Sequence, residues 1–325
     1  MTMLLRNSLT TAFLLSVGAT VPCAAAYPDK PLRIVTPFPA GSVTDIIARP
    51  LAARLTEAWS TSVVVDNRAG AGGNIAGDIV AKAPPDGYTL LIGTTGPVVV
   101  NALLYAKMPY DVQRAFAPVT VAAVAAMILV VHPSMPVKTA KDLVVLAKTR
   151  PGQLTYGSSG VGATTHLGGA LFASMTGTQL THVPYKGGSP AYTIDLITGR
   201  IELAFASMAP VMPHVKSARL KALGVSSDKR DPQFPEVPTI AESGIPGYDI
   251  RSWYGVLATA GTPQPVIDKL NTELARILAL PDVRSIYLAG GLHATSGSAA
   301  EFAAYIKSEH EKWAKVVKSA GIKAE

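Results

Sequence analysis

The chain alternates short runs of β-branched and aliphatic residues with longer segments whose apolar residues recur at helical spacing, and this pattern restricts the fold more than any other feature. The first five such segments alternate strand, helix, strand, helix, strand at 32–36, 45–59, 62–66, 74–82 and 88–93. Strands that alternate with helices predict an α/β fold with a parallel sheet covered by helices.

A second α/β unit follows. Its predicted strands lie at 127–131, 154–157, 179–183, 201–205 and 222–225, and its predicted helices at 140–149, 164–176 and 189–198. Two long amphipathic helices, 263–280 and 298–320, close the chain. We expect the chain to cross to a second lobe near Ala125 and to return near Arg251. Lobe 1 would then contain 27–125 and 251–325, and lobe 2 would contain 126–250.

The N-terminus has the order of a secretory signal peptide. A short segment with one positive charge, Arg6, precedes an apolar stretch at 9–17, and Ala24 and Ala26 offer the small residues of a cleavage site. The apolar stretch is shorter than the roughly 20 residues that a membrane-spanning helix needs. Residues 1–26 are therefore predicted to be removed on export to the periplasm.

Cysteine usage agrees with this interpretation. The chain has one cysteine, Cys23, inside the predicted signal. Val21 and Pro22 before it make a poor lipidation site. The mature chain would therefore have neither a disulfide nor thiolate chemistry.

The formal net charge of +7 fits an anionic ligand, and it fits equally a basic surface without a ligand. No cluster of lysine and arginine is interleaved with aromatic residues, so nucleic acid is not expected as a partner.

Two turns rich in glycine and hydroxyl residues, 37–45 and 156–166, each lie between a predicted strand and a predicted helix. The first N–H groups of a helix have no intrahelical partner, and the helix dipole favours an anion there. Ligands of α/β sheets also lie beyond the carboxyl ends of strands. Two such turns that face one cleft predict a carboxylate site.

Ordinary helix capping is the alternative for either turn alone, with Ser42 or Thr44 as the cap in the first turn and Ser159 or Thr164 in the second. One turn in each lobe favours binding over capping. His166, just inside the second predicted helix, is either a donor to a ligand oxygen or a surface histidine.

Motifs for catalysis and cofactors fail. The segment 70–75 lacks the last glycine of the dinucleotide motif, and no P-loop pattern occurs. Val161 replaces the glycine that a hydrolase nucleophile turn needs, so an esterase that uses Ser159 and His166 is a minor alternative. The histidines are scattered without metal-ligand spacing. We therefore expect neither enzymatic activity nor a cofactor or metal.

Several motifs together resemble the Bug family of periplasmic binding components of tripartite tricarboxylate transporters. They are PFPAG at 37–41, NRAGAGGN at 67–74, PDGYTL at 85–90, VPYKGG at 183–188, PTIAESG at 238–244 and GTP at 261–263. The resemblance implies a type II periplasmic-binding fold with two lobes, a ligand cleft and a hinge. It also implies a monomer that delivers a small carboxylate to integral-membrane transporter subunits, without catalysis.

In this family, one carboxylate is held largely by main-chain groups and waters of the two turns. Carried over to this chain, the candidate ligand contacts are Phe38, Ala40, Gly41, Ser42, Asp45, Thr95, Ser158, Ser159, Gly160, Thr164, His166 and Ser207. Asp45 is also a candidate cap or tether for the first helix, or a partner for an amine on the ligand.

Departures from the family pattern bear on the ligand. Ser42 stands where glycine is usual, and Ala206 replaces an acid, which disfavours amino-acid ligands. The apolar segment 96–100 and Met208 indicate a ligand with an apolar or aromatic body, such as terephthalate or nicotinate, ahead of di- and tricarboxylates. A protein that presents its ligand to a membrane sensor would share every one of these features.

Overall fold

The computed structural model describes residues 27–185 and 188–320; the predicted signal peptide, with Cys23, lies outside these residues. Within them, ten strands form one sheet. The strands are β1 (Leu32–Thr36), β2 (Val63–Asn67), β3 (Thr89–Thr94), β4 (Phe116–Val131), β5 (Thr155–Ser158), β6 (Thr181–Pro184), β7 (Leu203–Ser207), β8 (Lys221–Val225), β9 (Arg251–Thr259) and β10 (His293–Ala294).

Helices cover this sheet. They are α1 (Val43–Trp59), α2 (Asn74–Ala81), α3 (Asn101–Leu104), α4 (Ala140–Thr149), α5 (Thr164–Thr176), α6 (Gly188–Ile197), α7 (Met208–Lys216), α8 (Gln264–Leu278), α9 (Pro281–Ala289) and α10 (Ala299–Ala320). A 3₁₀ turn, Ala71–Gly73, precedes α2, and a π-helical turn, Gly96–Val100, leads into α3. No helix among the described residues has both the length and the apolarity to cross a membrane.

The strand order β2-β1-β3-β9-β4-β7-β5-β6 contains two parallel groups. Strands β1, β2 and β3 are parallel, as are β5, β6 and β7. Between the groups, β9 and β4 run antiparallel to each other and to their outer neighbours, β3 and β7. The prediction of a parallel sheet therefore fails at the centre, because β4 and β9 carry the chain past each other in opposite directions.

Strand β4 belongs to both halves of the sheet. It pairs with β9 from Phe116 to Ala126 and with β7 from Met127 to Val131. The Ser226 hydroxyl accepts from Met127 N at 2.8 Å and donates to the Ile250 carbonyl oxygen at 2.5 Å. One buried side chain thus joins the two places where the chain passes between the halves.

Each half has an apolar cluster of its own, and a third cluster, with Leu91 of β3 and Phe205 of β7, spans both halves. In the first half, Ile47 and Leu51 of α1 pack with Leu90 of β3 and Leu270 of α8. In the second half, α6 and α7 pack against β4 and β7 around Tyr192, which is fully buried. Burial of each large apolar side chain contributes about 1.5–3 kcal/mol, so each half has a core of its own.

Candidate functional site

A cavity of about 310 Å³ lies between the two halves. It is at the carboxyl ends of the parallel strands: Thr94 ends β3, Ser207 ends β7, and both line the wall. At this edge of an α/β sheet each strand is followed by a helix, and ligands of such sheets commonly bind there.

Four helices present their first residues to this cavity. Lining residues come from the starts of α1, α5, α6 and α7: Ser42, Val43, Thr44, Ala163, Thr164, Thr165, Gly188, Ser189, Pro190 and Ser207. Within the described residues, the N-cap residues of α1, α5 and α7 make no side-chain capping hydrogen bond. Ser42 is the N-cap residue of α1 but makes no capping bond, and the N-cap residue of α5 is Ala163. The alternative of ordinary capping by hydroxyl residues of the two turns is therefore wrong. Uncapped N-termini leave N–H donors and a partial positive charge facing the cavity.

Asp45 anchors the first turn from behind and does not line the cavity. Its carboxylate accepts from Gly41 N at 2.9 Å, from Asn67 Nδ2 at 3.0 Å and from Arg49 Nε at 2.8 Å. Burial raises the pKa of Asp45, but the hydrogen bonds from Arg49, Gly41 and Asn67 outweigh burial and hold the pKa below its usual value. Asp45 thus stays ionised and acts as a tether of the turn.

Side chains of the second turn and of α5 bond to the turn's own backbone. Ser159 N donates to Thr165 Oγ1 at 3.0 Å, and Gly160 N donates to Ser158 Oγ at 3.1 Å. Gly162 N donates to His166 Nδ1 at 3.2 Å. No charged group takes part in these three bonds, in contrast to the first turn.

The predicted site residues separate into two groups. On the cavity wall are Phe38, Ala40, Gly41, Ser42, Ser159, Thr164 and Ser207. The other five are not on the wall: Asp45, Thr95, Ser158 and His166 are buried, and Gly160 is partly exposed. Thr94 is on the wall where Thr95 was expected; Thr95 is buried, and its hydroxyl has no hydrogen-bond partner within the described residues.

His166 takes neither of its two expected positions. It is 6% exposed, so it is not a surface histidine, and it does not line the cavity. Its ring stacks on His182 with centroids 3.9 Å apart. Burial, followed by the nearby His182, lowers the pKa of His166 to about 3, so the ring is neutral at physiological pH.

Sequence reasoning missed part of the wall. The missed lining residues are Pro39, Val43, Thr44, Ile46, Thr94, Ala163, Thr165, Gly188, Ser189, Pro190, Pro210, Ser252 and Tyr254. Several lie inside the two recognised turns or at predicted helix starts, so their place on the wall could have been predicted from the sequence. Ser252 and Tyr254 alternate on β9, a strand that was not predicted, while Trp253 between them faces the core.

The residues that indicated an apolar ligand are in the core and not on the wall. Val98, Val99 and Val100 are almost fully buried, as are Ala206 and Met208, and none of them lines the cavity. Different side chains give the wall its apolar part: Phe38, Val43, Ile46, Pro190 and Pro210. The wall within residues 27–185 and 188–320 carries no side chain with a formal charge. Burial raises the pKa of Tyr254 to about 12, so its hydroxyl remains a donor.

Ser159 and His166 do not form the hydrogen-bonded pair that the esterase alternative needs. Ser159 Oγ lies 3.4 Å from Ser189 Oγ, and His166 Nδ1 accepts from Gly162 N. A close serine–histidine contact exists between Ser158 and His182, at 2.6 Å, but Ser158 is 0% exposed and closed to a substrate. The described residues contain no group of three or more histidine, cysteine or acidic side chains that would hold a metal.

Comparison with known proteins gives the chain a family. Residues 47–322 match the profile of TctC, described as the tripartite tricarboxylate transporter family receptor. The UPF0065 protein in the tcbD-tcbE intergenic region of Pseudomonas sp. (strain P51) is 42% identical over 293 residues, which cover 90% of this chain and 87% of that protein. Protein BugT of Bordetella pertussis is 34% identical over 313 residues, 96% of each chain.

Solved structures are similar over nearly the whole chain. Rpa4515 of R. palustris with adipate has a TM-score of 0.85 and 40% identity, and the match covers 91% of this chain and 99% of that one. MatC (Rpa3494) from Rhodopseudomonas palustris with bound malate has a TM-score of 0.82 and 27% identity, with coverage of 90% and 100%. The motif resemblance is therefore confirmed, and the chain belongs to the tripartite tricarboxylate transporter receptor family, which includes the Bug proteins and consists of periplasmic solute-binding proteins with a two-lobed α/β fold.

Proposed function

We propose that this protein captures a small carboxylate with an apolar body and delivers it to the integral-membrane subunits of a tripartite tricarboxylate transporter. One observation carries the proposal: four helix N-termini converge on a cavity whose remaining wall is largely apolar. In this proposal, lobe 1 contains residues 27–125 and 251–325, and lobe 2 contains 126–250. The strand pairing of β4, which changes partner at Met127, supports this division.

Main-chain N–H groups would bind the carboxylate. Hydrogen bonds to a charged acceptor contribute about 1.5–3 kcal/mol each, and aligned helix dipoles add to them. Donors come from α1 in one lobe and from α5, α6 and α7 in the other. Because all of them reach one anion only when the lobes are together, the ligand stabilises the closed arrangement by its higher affinity for that state.

The apolar wall supports a preference within this class. Phe38, Val43 and Ile46 would contact the carbon skeleton of the ligand, and Tyr254 would donate to a second polar group. A six-carbon dicarboxylate such as adipate, or an aromatic acid such as terephthalate or nicotinate, buries apolar surface there. Citrate, which carries a hydroxyl and three carboxylates, would leave charge against an apolar wall.

Titration calorimetry tests the ligand class. The panel is adipate, malate, citrate, terephthalate, benzoate, nicotinate and aspartate, added to purified protein. We expect tighter binding of adipate or the aromatic acids than of citrate or aspartate. Tight citrate or aspartate binding without adipate or aromatic binding contradicts the apolar preference, and no heat with any acid contradicts carboxylate capture.

Two substitutions test the site. Ser159→Ala and Thr164→Ala should each weaken carboxylate binding by about 1–3 kcal/mol, because each removes a hydroxyl from the wall. Ser308→Ala, on an exposed part of α10, is the matched control and should leave affinity unchanged. Unchanged affinity in both wall variants would place the site elsewhere.

We propose that the protein acts as a monomer in the periplasm after removal of residues 1–26. Intact mass of the protein recovered from the periplasm should then correspond to a chain that begins at Tyr27.

Uptake measurements separate transport from signalling. Deletion of the gene for this protein should abolish uptake of the labelled ligand. Unchanged uptake with an altered transcriptional response to the ligand would indicate the sensor role.

A further inference from the structure

Two histidines, the buried His166 and the partly buried His182, lie behind the second turn, and ligand capture as described above does not use them. His166 of α5 and His182 of β6 stack with their ring planes 20° apart. Tyr156 of β5 completes the stack, with its ring centroid 5.0 Å from that of His182. These three rings come from three neighbouring elements and pack against one another beneath the turn.

The hydrogen bond from Gly162 fixes the state of the His166 ring. A main-chain N–H can only donate, so Nδ1 of His166 must offer a lone pair, and the proton of the neutral ring must be on Nε2. Protonation of Nδ1 would set two N–H groups against each other. The backbone of Gly162, at φ +79°, is thus held by a neutral imidazole.

His182 acts on the same turn through Ser158. Its Nε2 lies 2.6 Å from Ser158 Oγ, and this hydroxyl accepts from Gly160 N and lies 3.2 Å from the Gly160 carbonyl oxygen. The two rings therefore reach the backbone at Gly160 and Gly162. Gly162 immediately precedes Ala163, the uncapped start of α5 on the cavity wall, and Gly160 lies three positions before it.

We propose that His166 is a positioning residue of the ligand site, whose neutral ring, stacked on His182, holds turn 158–163 in the conformation that receives the carboxylate. This inference rests on the proposed function. A turn that is already ordered does not have to be ordered during binding, so loss of the anchor appears as lost affinity.

The surroundings keep the ring neutral. Among the described residues, the titratable groups that face His166 are Tyr156 from β5 and His182 from β6. Burial lowers the pKa of His182 to about 4, and no acidic side chain contributes to the pKa of either ring.

Nitrogen NMR of the histidine rings tests the anchor without any ligand. In the native protein at pH 7, the His166 signals, assigned by their loss in His166→Asn, should show a neutral ring protonated at Nε2. A ring protonated at Nδ1, or a doubly protonated ring, would overturn the proposal.

Affinity for adipate tests the consequence. In His166→Asn, the amide oxygen can take the place of Nδ1 as acceptor, whereas His166→Leu keeps the bulk and removes the acceptor. We expect the leucine variant to bind adipate about tenfold more weakly and the asparagine variant to stay within about threefold of the native protein. His310→Leu on α10 is the control and should bind as the native protein does.

Equal losses in the asparagine and leucine variants would mean that His166 contributes packing alone and would overturn the proposal. If the leucine variant does not fold, amide exchange decides: Gly162 N–H should remain protected in His166→Asn, and rapid exchange there overturns the proposal. Native protein that binds no acid of the panel would refute carboxylate capture, while the ring signals would still decide the role of His166.

Discussion

The turn at 37–45 is anchored by an ionised carboxylate, whereas the turn at 156–166 is anchored by neutral side chains. Asp45 accepts three hydrogen bonds in the first turn; Ser158, Thr165 and His166 serve the second. Both arrangements hold an uncapped helix start at the same cavity. The difference teaches that one task, the positioning of an uncapped helix start at the cavity, can be met with or without a buried charge.

The two anchors respond differently to acid. Asp45 has a folded-state pKa below its ordinary 3.8, so its stabilisation is present above pH 3.8 and is lost as the pH falls through the folded-state pKa. His166 and His182 have pKa values of about 3 and about 4 when folded, against 6.5 in the unfolded chain. The unfolded chain therefore takes up protons first, and stability is lost progressively below pH 6.5. The second turn is the acid-sensitive one in the mildly acidic range.

Removal of the charged anchor should have the largest effect. Asp45→Ala leaves Gly41 N without its acceptor and removes one of the acceptors of Asn67 Nδ2, which keeps Thr36 Oγ1. We expect a loss of about 3–4 kcal/mol in unfolding free energy, measured by urea denaturation. Glu57→Ala, at the exposed end of the same helix, is the control and should change stability by less than about 0.5 kcal/mol. Similar losses in the two variants would show that Asp45 is not an anchor.

Glycine substitutions compare the backbones of the turns. Gly41 has φ +77° and Gly160 has φ +122°, and a Cβ at either position would meet no atom within 4 Å, so an added methyl group reports backbone strain alone. We expect Gly160→Ala to lower the unfolding free energy by about 2–3 kcal/mol and Gly41→Ala to lower it by about 1 kcal/mol. The φ of Gly160, near +120°, is further from any conformation that alanine adopts than the φ of Gly41 is.

A third glycine is the control for these variants. Gly177, at the end of α5, has φ +62° and equally open surroundings. Gly177→Ala should lower the unfolding free energy as Gly41→Ala does, without loss of ligand affinity. Loss of affinity in the Gly177 variant would mean that the assay reports general stability and not the geometry of the turns.

Acid should distinguish the anchors directly. Between pH 7.5 and pH 5.0, the melting temperature of the native protein should fall by about 2–4 °C more than that of His166→Asn, because the variant lacks one group that is forced to stay neutral on folding. Other ionisable groups contribute equally to both proteins. An identical fall in both would remove His166 as the source of the acid sensitivity.

The smallest expected effect compares a helix start on the cavity with one away from it. Ser42 makes no capping bond in α1, whereas Thr139 and Asp142 form a reciprocal capping box in α4. Thr139→Ala should cost about 1 kcal/mol of unfolding free energy, and Ser42→Ala less than about 0.5 kcal/mol. A Ser42 effect as large as that of Thr139 would restore the capping role of Ser42.

Much of the fold could be predicted from local pattern. Helix α5 begins and ends where its periodicity and flanking residues predicted, at Thr164 and Thr176. Strand β4 was predicted only from 127 onwards, because its first part, with Pro118 and many alanines, has low strand propensity. That first part is a strand because β9 pairs with it along its length.

By itself, the sequence determined the α/β class, the family and the two turns, because period, turn chemistry and ordered motifs are local properties of the chain. It also determined that Asp45 belongs to the first turn. Only the tertiary structure decided which side chains face the cavity, since this depends on strand pairing and on the angle at which each helix leaves the sheet. The folded chain moved Thr95, Ser158 and His166 behind the wall and brought Ser189, Ser252 and Tyr254 onto it. Residues distant in sequence became neighbours there through packing, which no local pattern encodes.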